Sequence, residues 1–251
     1  MGLFDLFASK ETRAQGALQK LTQKLTQKYG PPENRAKAID QLHDLGTPEA
    51  LQALCMRFTI LADPTITDAD EKQRVFQLLA EEGEQAVVPV ERFIHEQESG
   101  VAWGLRILAA VLPAERLQPI VLGELSHLGR VYSRDPEKKL TLLTWLREHI
   151  AGADSAGEAV AEAVLPLLED FSDDVRIAAT RALAALARSE RTRDALVGLL
   201  LRDRENLRVR GEVFEALAEL GADVKGHRPD VEALIAEPFF LDREGHVKKR
   251  G

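Results

Sequence analysis

The residue types that could do chemistry are few and scattered. Six histidines, His43, His95, His127, His149, His227 and His246, fall on different predicted helices and loops. No pair has the four-residue spacing that sets two imidazoles on one helical face for a metal ion. The one cysteine, Cys55, sits among Leu51, Leu54 and Phe58 on an apolar stripe, so neither a disulfide framework nor a cysteine-based zinc site can form. The sequence shows no nucleophile elbow, phosphate-cradling glycine loop or Cys/His arrangement. The expectation is therefore a chain that is not an enzyme, with no catalytic residues, no cofactor and no metal.

Composition narrows the remaining classes. The 33 Lys and Arg against 41 Asp and Glu give a formal charge of -8. Nucleic-acid affinity comes chiefly from Lys and Arg gripping phosphates, so such a partner is not expected, although a local basic face stays open. Hydrophobic residues are 45%, charged residues 29% and aromatics 5%, with Ala, Leu, Glu and Arg abundant, a mixture that favours helices. No apolar run approaches the roughly 18 residues needed to cross a bilayer. With a lone cysteine besides, the expected compartment is the cytosol.

The elements that must position any binding residue are helical. The stretch Asp173 to Ala187, read as a helix, sets Val175, Ala179, Ala182, Leu183 and Leu186 on one face and Ile177, Thr180, Arg181 and Ala184 on the other. Small residues on the packed face let another helix approach closely. The pattern returns thirty-four residues on: Val175-Arg176 with Ala182, Leu183 and Leu186 recurs as Val209-Arg210 with Ala216, Leu217 and Leu220. Leu42, Leu45 and Gly46 fit the same frame, and Leu79 with Gly83 more loosely. Thr47-Pro48 reads as an N-cap followed by proline at the first helical position, and Thr67 or Asp68 as the cap of the following helix. Prolines fall inside alternate helices at Pro89, Pro119 and Pro166, where each would cost about 3 kcal/mol and bend its helix. No run shows convincing strand alternation.

A kinked first helix paired with a straighter Val-Arg second helix resembles the HEAT-repeat family, and the chain is similar to short bacterial HEAT repeat proteins. The resemblance implies an all-α fold, an α-α superhelix or HEAT-like solenoid of about six helix pairs, over residues 33–237. Residues 1–30 would form an apolar segment and capping helix, and residues 238–251 a capping and basic tail in which Phe239 and Phe240 seal the last repeat. In the family, Asp and Arg at the turn and second helix form ladders between repeats, and Asp173, Arg176 and Arg210 match those positions. Some HEAT-like proteins are enzymes. The deoxyhypusine hydroxylases hold two irons with repeated His-Glu dipeptides, whereas this sequence has only His95-Glu96. The HEAT-like glycosylases need a strongly basic concave face, which fits poorly with the charge.

Binding of another protein is the use that remains. Projected onto one frame, Ile39, Phe76, Arg106 and Phe214 share the position of Thr180, and Trp103 that of Ile177. Successive repeats would then present a column of these side chains to an amphipathic helix or extended peptide. The same positions could instead pack against neighbouring repeats, and the sequence leaves both open. Leu3, Phe4, Leu6 and Phe7 cap the first pair or dock on a partner or a membrane surface. The expected function is a non-catalytic interaction scaffold or adaptor. The alternatives are a nucleic-acid-associated protein using the arginines from Arg176 to Arg210, and a HEAT-like enzyme or chromophore lyase.

Overall fold

The computed structural model describes residues 3–149, 157–224 and 226–250, with side chains from Thr12 onward. The expected linker at 151–157 lies, Gly157 apart, outside the described residues, as do the side chains of Leu3, Phe4, Leu6 and Phe7. Thirteen α-helices occur among the described residues, so the chain is an all-α helical repeat protein. It divides into two compact units, Met1–Pro113 and Ala114–Gly251.

The first unit holds three helix pairs: α1 (Leu3–Leu25) with α2 (Pro32–Leu45), α3 (Pro48–Cys55) with α4 (Thr65–Glu81), and α5 (Glu84–Glu96) with α6 (Val101–Val111). First helices pack on first helices, as α3 does on α5, and second helices on second, as α4 does on α2 and α6. The apolar stripes meet between these layers, where Leu42, Leu54, Val75, Leu79, Val90, Phe93 and Leu108 are fully buried. Thr47 caps α3 as expected, its side chain accepting the Ala50 N–H at 3.3 Å, with Pro48 in the first turn. Pro89 lies inside α5, and α5 continues through it.

The expected cap of α4 is corrected. The helix begins at Thr65, and Asp68 lies within its first turn rather than ahead of it. A buried arginine competes for that carboxylate: Asp68 Oδ1 accepts from Arg57 at 2.7 Å and from the Ala62 N–H at 2.8 Å, and Lys72 lies 2.9 Å from Oδ2. Glu71, one turn on, accepts from Arg35 at 2.9 Å and from Arg57 at 2.8 Å. Arg35 also donates to the carbonyls of Gln27 and Gly30, tying the loop after α1 to α2. Both guanidinium groups are wholly buried.

Burial alone would raise the Asp68 carboxyl, but the Ala62 N–H, Lys72 and Arg57 together hold it below its ordinary value of 3.8. Stability from this carboxylate is full above the ordinary value and is lost as pH falls through the folded one. Urea titrations at neutral pH and near pH ~3 should show the first unit weakening in acid, and Asp68→Asn should weaken less between the two conditions.

The second unit repeats the plan with α7 (Ala114–Leu128) and α8 (Glu137–His149), α9 (Gly157–Val164) and α10 (Asp173–Leu186), then α11 (Glu190–Arg202) and α12 (Leu207–Leu220), followed by the short α13 (Arg228–Glu232). Pro119 lies inside α7, whereas Pro166 falls in a 3-10 turn, Leu165–Glu169, that replaces the end of α9. The three prolines therefore do not sit in equivalent structures. Helix α10 is central, flanked by α8 and α12 and backed by α9. That position corrects the expected division of its faces. Thr180 and Ala184 are buried as fully as Val175 and Leu183, because neighbouring second helices cover the sides of α10.

Strands do occur. After α13 the chain forms an antiparallel hairpin of β1 (Phe239–Leu241) and β2 (Val247–Lys249), with Phe239 opposite Lys249. It attaches to the loop after α12 through Val247 N–H to the Ala222 carbonyl at 3.1 Å and Val224 N–H to the Gly245 carbonyl at 2.9 Å. The segment is too short for alternation to stand out in sequence. Its basic residues are not simply solvated: Lys249 pairs with Glu215 at 2.9 Å and Arg250 with Glu237 at 2.6 Å.

Candidate functional site

The five residues expected to form a column do not share one environment. Ile39 is wholly buried in the first unit. Phe214 is 2% exposed in the second, its ring stacked on Phe239 at 5.7 Å. These two are corrected from exposed contacts to core, since second helices in a stack are flanked on both sides and the Thr180 position points at a neighbour. Phe76, Trp103 and Arg106 are different. They lie together on α4 and α6, the two rings half-buried and Arg106 exposed.

The arrangement is built from the helix junction upward. Gly100 precedes α6 with φ of 79°, and a Cβ there would lie 2.9 Å from the Phe58 carbonyl oxygen, so only glycine lets α6 start against that backbone. Trp103, one turn in, then stacks on Phe58 with centroids 5.1 Å apart and planes 11° from parallel. Gly104 faces Ile94, and a Cβ there would fall 2.8 Å from its Cγ1, which keeps α6 close on α5. Phe76 of α4 lies at a tilt to Trp103, 6.4 Å away. The Arg106 guanidinium covers both rings, 4.3 Å from the Trp103 centroid and 5.0 Å from that of Phe76. Among the described residues Arg106 has no carboxylate partner.

The positions expected to form a ladder lie in the second unit. Arg176 donates to Asp173 Oδ1 at 2.6 Å and to the Asp170 carbonyl at 2.5 Å. Its Nε also lies 2.8 Å from Asp203 Oδ2 in the next turn, an ion pair off the hydrogen-bond direction. Asp173 Oδ2 accepts from the Asn206 side chain at 2.8 Å. That amide, with Arg176 and Arg208 and against desolvation, holds the Asp173 carboxyl below its usual range. Among the described residues Arg210 reaches no acid; it donates to the Arg204 carbonyl at 3.0 Å, six residues back as Arg176 does to Asp170. Sequence reasoning missed Lys139, which continues this line by binding Asp170 at 2.6 Å in a nearly buried pair. Its spacing carried no signal, because a lysine on a predicted helix reads as solvent-facing.

The arginines between Arg176 and Arg210 are largely matched with carboxylates. Arg181 grips Glu212 through two bonds of 2.8 and 2.6 Å, Arg208 pairs with Asp174 at 2.6 Å, and Arg191, Arg193, Arg202 and Arg204 each have an acidic partner. Exposed pairs of this kind contribute about 0–1 kcal/mol each. Beside them the second helices of this unit border a groove of about 550 Å³ lined by Leu140, Thr144, Arg147, Ile177 and Arg181 among others. Among the described residues, no group of three or more His, Cys, Asp and Glu is placed to hold a metal ion.

The family model for HEAT repeats matches residues 161–238. This stretch is a HEAT-repeat array. It runs from within α9 to the start of the hairpin and includes the Val175-Arg176 and Val209-Arg210 pairs. HEAT repeats commonly mediate protein interactions. A search of curated proteins found no match. A solved structure similar to this chain is that of human deoxyhypusine hydroxylase in complex with glycerol, at 18% identity over 90% of this chain and 94% of that one, with a TM-score of 0.35. That finding corrects the expectation that the chain is not an enzyme. The similar protein is itself an enzyme. At this TM-score the likeness assigns no activity, substrate or site.

Proposed function

We propose that the chain is a protein-interaction module that docks a partner segment on the second-helix face of its first unit, at Phe76, Trp103 and Arg106. The observation that carries this reading is the Arg106 guanidinium, exposed, laid over two aromatic rings and facing no carboxylate of its own. A guanidinium fixed in this way loses little freedom on meeting a carboxylate and offers it two parallel donors. Ala102, one turn before Arg106, and Ala109 are exposed on the same helix and let a partner backbone come near. The partner chemistry that fits is an acidic side chain beside an apolar one.

The nucleic-acid reading draws less support, since most of the arginines it would use are matched with carboxylates within the second unit. No helix of the described residues is long and apolar enough to cross a membrane. A cytosolic location belongs to the same proposal and leans on Cys55, a lone buried thiol with no disulfide partner.

The test is partner capture by Arg106→Glu and Trp103→Ala. Arg106→Glu should keep the wild-type circular dichroism and melting temperature and weaken capture by tenfold or more, as loss of a central arginine anchor does. Trp103→Ala should also lose capture, with some loss of stability because Trp103 stacks on Phe58. Undiminished capture by Arg106→Glu would remove the site.

A further inference from the structure

Three successive turns between first and second helices lie along the second unit, and their apolar side chains are bare. Tyr132, between α7 and α8, is 79% exposed, and Phe171, just before α10, is 53% exposed. Their rings stack on each other with centroids 5.1 Å apart. Leu207, which opens α12, is 68% exposed and follows Asn206, whose amide binds Asp173 beside Phe171. Single exposed apolar residues are ordinary on a protein surface; an aromatic pair from two separate turns, with a leucine on the adjoining turn, is a patch.

The charges around this edge say what covers it. Its acids from 169 to 174 are answered, Asp170 by Lys139, Asp173 by Arg176, Asp174 by Arg208 and Glu169 by Arg202, while Glu205, two positions before Leu207, is exposed with no cationic partner among the described residues. Asp135 accepts the Glu137 N–H at 2.9 Å, so both carboxylates lie at the N-terminal end of α8, where the helix dipole offsets part of their negative charge. Arg130 and Arg134 flank Tyr132 two positions away on either side. Both are exposed, and neither has a carboxylate partner among the described residues. The two side chains that flank the bare ring of Tyr132 are therefore cations open to a carboxylate.

We propose that this turn edge, centred on the Tyr132–Phe171 stack, binds an acidic peptide segment whose apolar anchor sits on the two rings while its carboxylates meet Arg130 and Arg134. Rigid aromatics supply contact area at little cost in conformational entropy, and the arginines supply direction. A polyanion such as RNA fits less well, because two arginines neutralise few phosphates on a chain of charge -8. This site lies in a different unit from the Arg106 cluster and does not depend on it.

The probe is a fluorescently labelled synthetic peptide in which Glu pairs alternate with Phe and Leu, titrated against the full chain and followed by anisotropy. Its counterpart with Lys in place of Glu, and a single-stranded oligothymidine, serve as comparisons. Saturable binding of the acidic peptide is expected, weakened tenfold or more by Tyr132→Ala with Phe171→Ala, and again by Arg130→Glu with Arg134→Glu. All four side chains are exposed, so the variants should keep the wild-type circular dichroism. The titrations are made in the Arg106→Glu background, because the Arg106 cluster offers the same peptide a second site. Equal affinity in the aromatic double variant, no saturable binding, or equal binding of the Lys peptide would overturn the assignment. So would tighter binding of the oligothymidine through Tyr132.

Discussion

Glu71→Ala should lower the stability of the first unit by about 3–5 kcal/mol, the cost of breaking a buried ion pair by removing one member. The wild-type carboxylate accepts from both Arg35 and Arg57, and each guanidinium is at 0% exposure. Asp68 still meets Arg57 after the change, but Arg35 retains only the Gln27 and Gly30 carbonyls. A charge left in that position has no water to turn to. One tryptophan lies in each unit, Trp103 in the first and Trp145 in the second, so urea unfolding can be followed unit by unit. In a Trp145→Phe background the Trp103 signal should show a lowered midpoint for Glu71→Ala. A midpoint equal to that of the background would mean that the cluster is hydrated and contributes little.

Phe214→Ala should cost the second unit about 3–5 kcal/mol, the usual range for emptying a buried phenylalanine site. The ring is 2% exposed, and its stack on Phe239 joins α12 to the hairpin. Removing it leaves a cavity under β1 and loosens the contact of the hairpin with the helix before it. The Trp145 signal in a Trp103→Phe background reads this loss. Partner capture by protein that remains folded should be unchanged, which separates Phe214 from Arg106 although both occupy the same place in the repeat frame.

That contrast shows what the sequence held and what it did not. Spacing alone placed the helices, because Val175, Ala179, Ala182 and Leu183 recur at the helical period and are all buried. The Thr47-Pro48 start was legible for a local reason, since cap and first turn are neighbours in the chain. The Val-Arg pairs marked Arg176 and Arg210, and each closes on a carbonyl six residues back. Exposure at the Thr180 position was not legible. It depends on how far the next second helix covers each side chain, so Ile39 is buried while Arg106, in the same frame, is exposed. Nor was the Arg35, Arg57, Asp68 and Glu71 cluster, whose members come from α2, the turn after α3, and α4 and meet only in the folded unit. Tyr132 and Phe171 are thirty-nine positions apart and pair only because successive turns fall side by side.

The claim that the second-helix face of the first unit receives a partner can be tested by site-specific photo-crosslinking in native extract. A photoreactive phenylalanine analogue is placed at position 102, one turn from Arg106 on α6, and, as the comparison, at position 92, exposed on the first helix α5. The expected result is a crosslinked partner band from position 102 that disappears with Arg106→Glu, and none from position 92. A band from position 92 alone, or one from position 102 that survives Arg106→Glu, would contradict it.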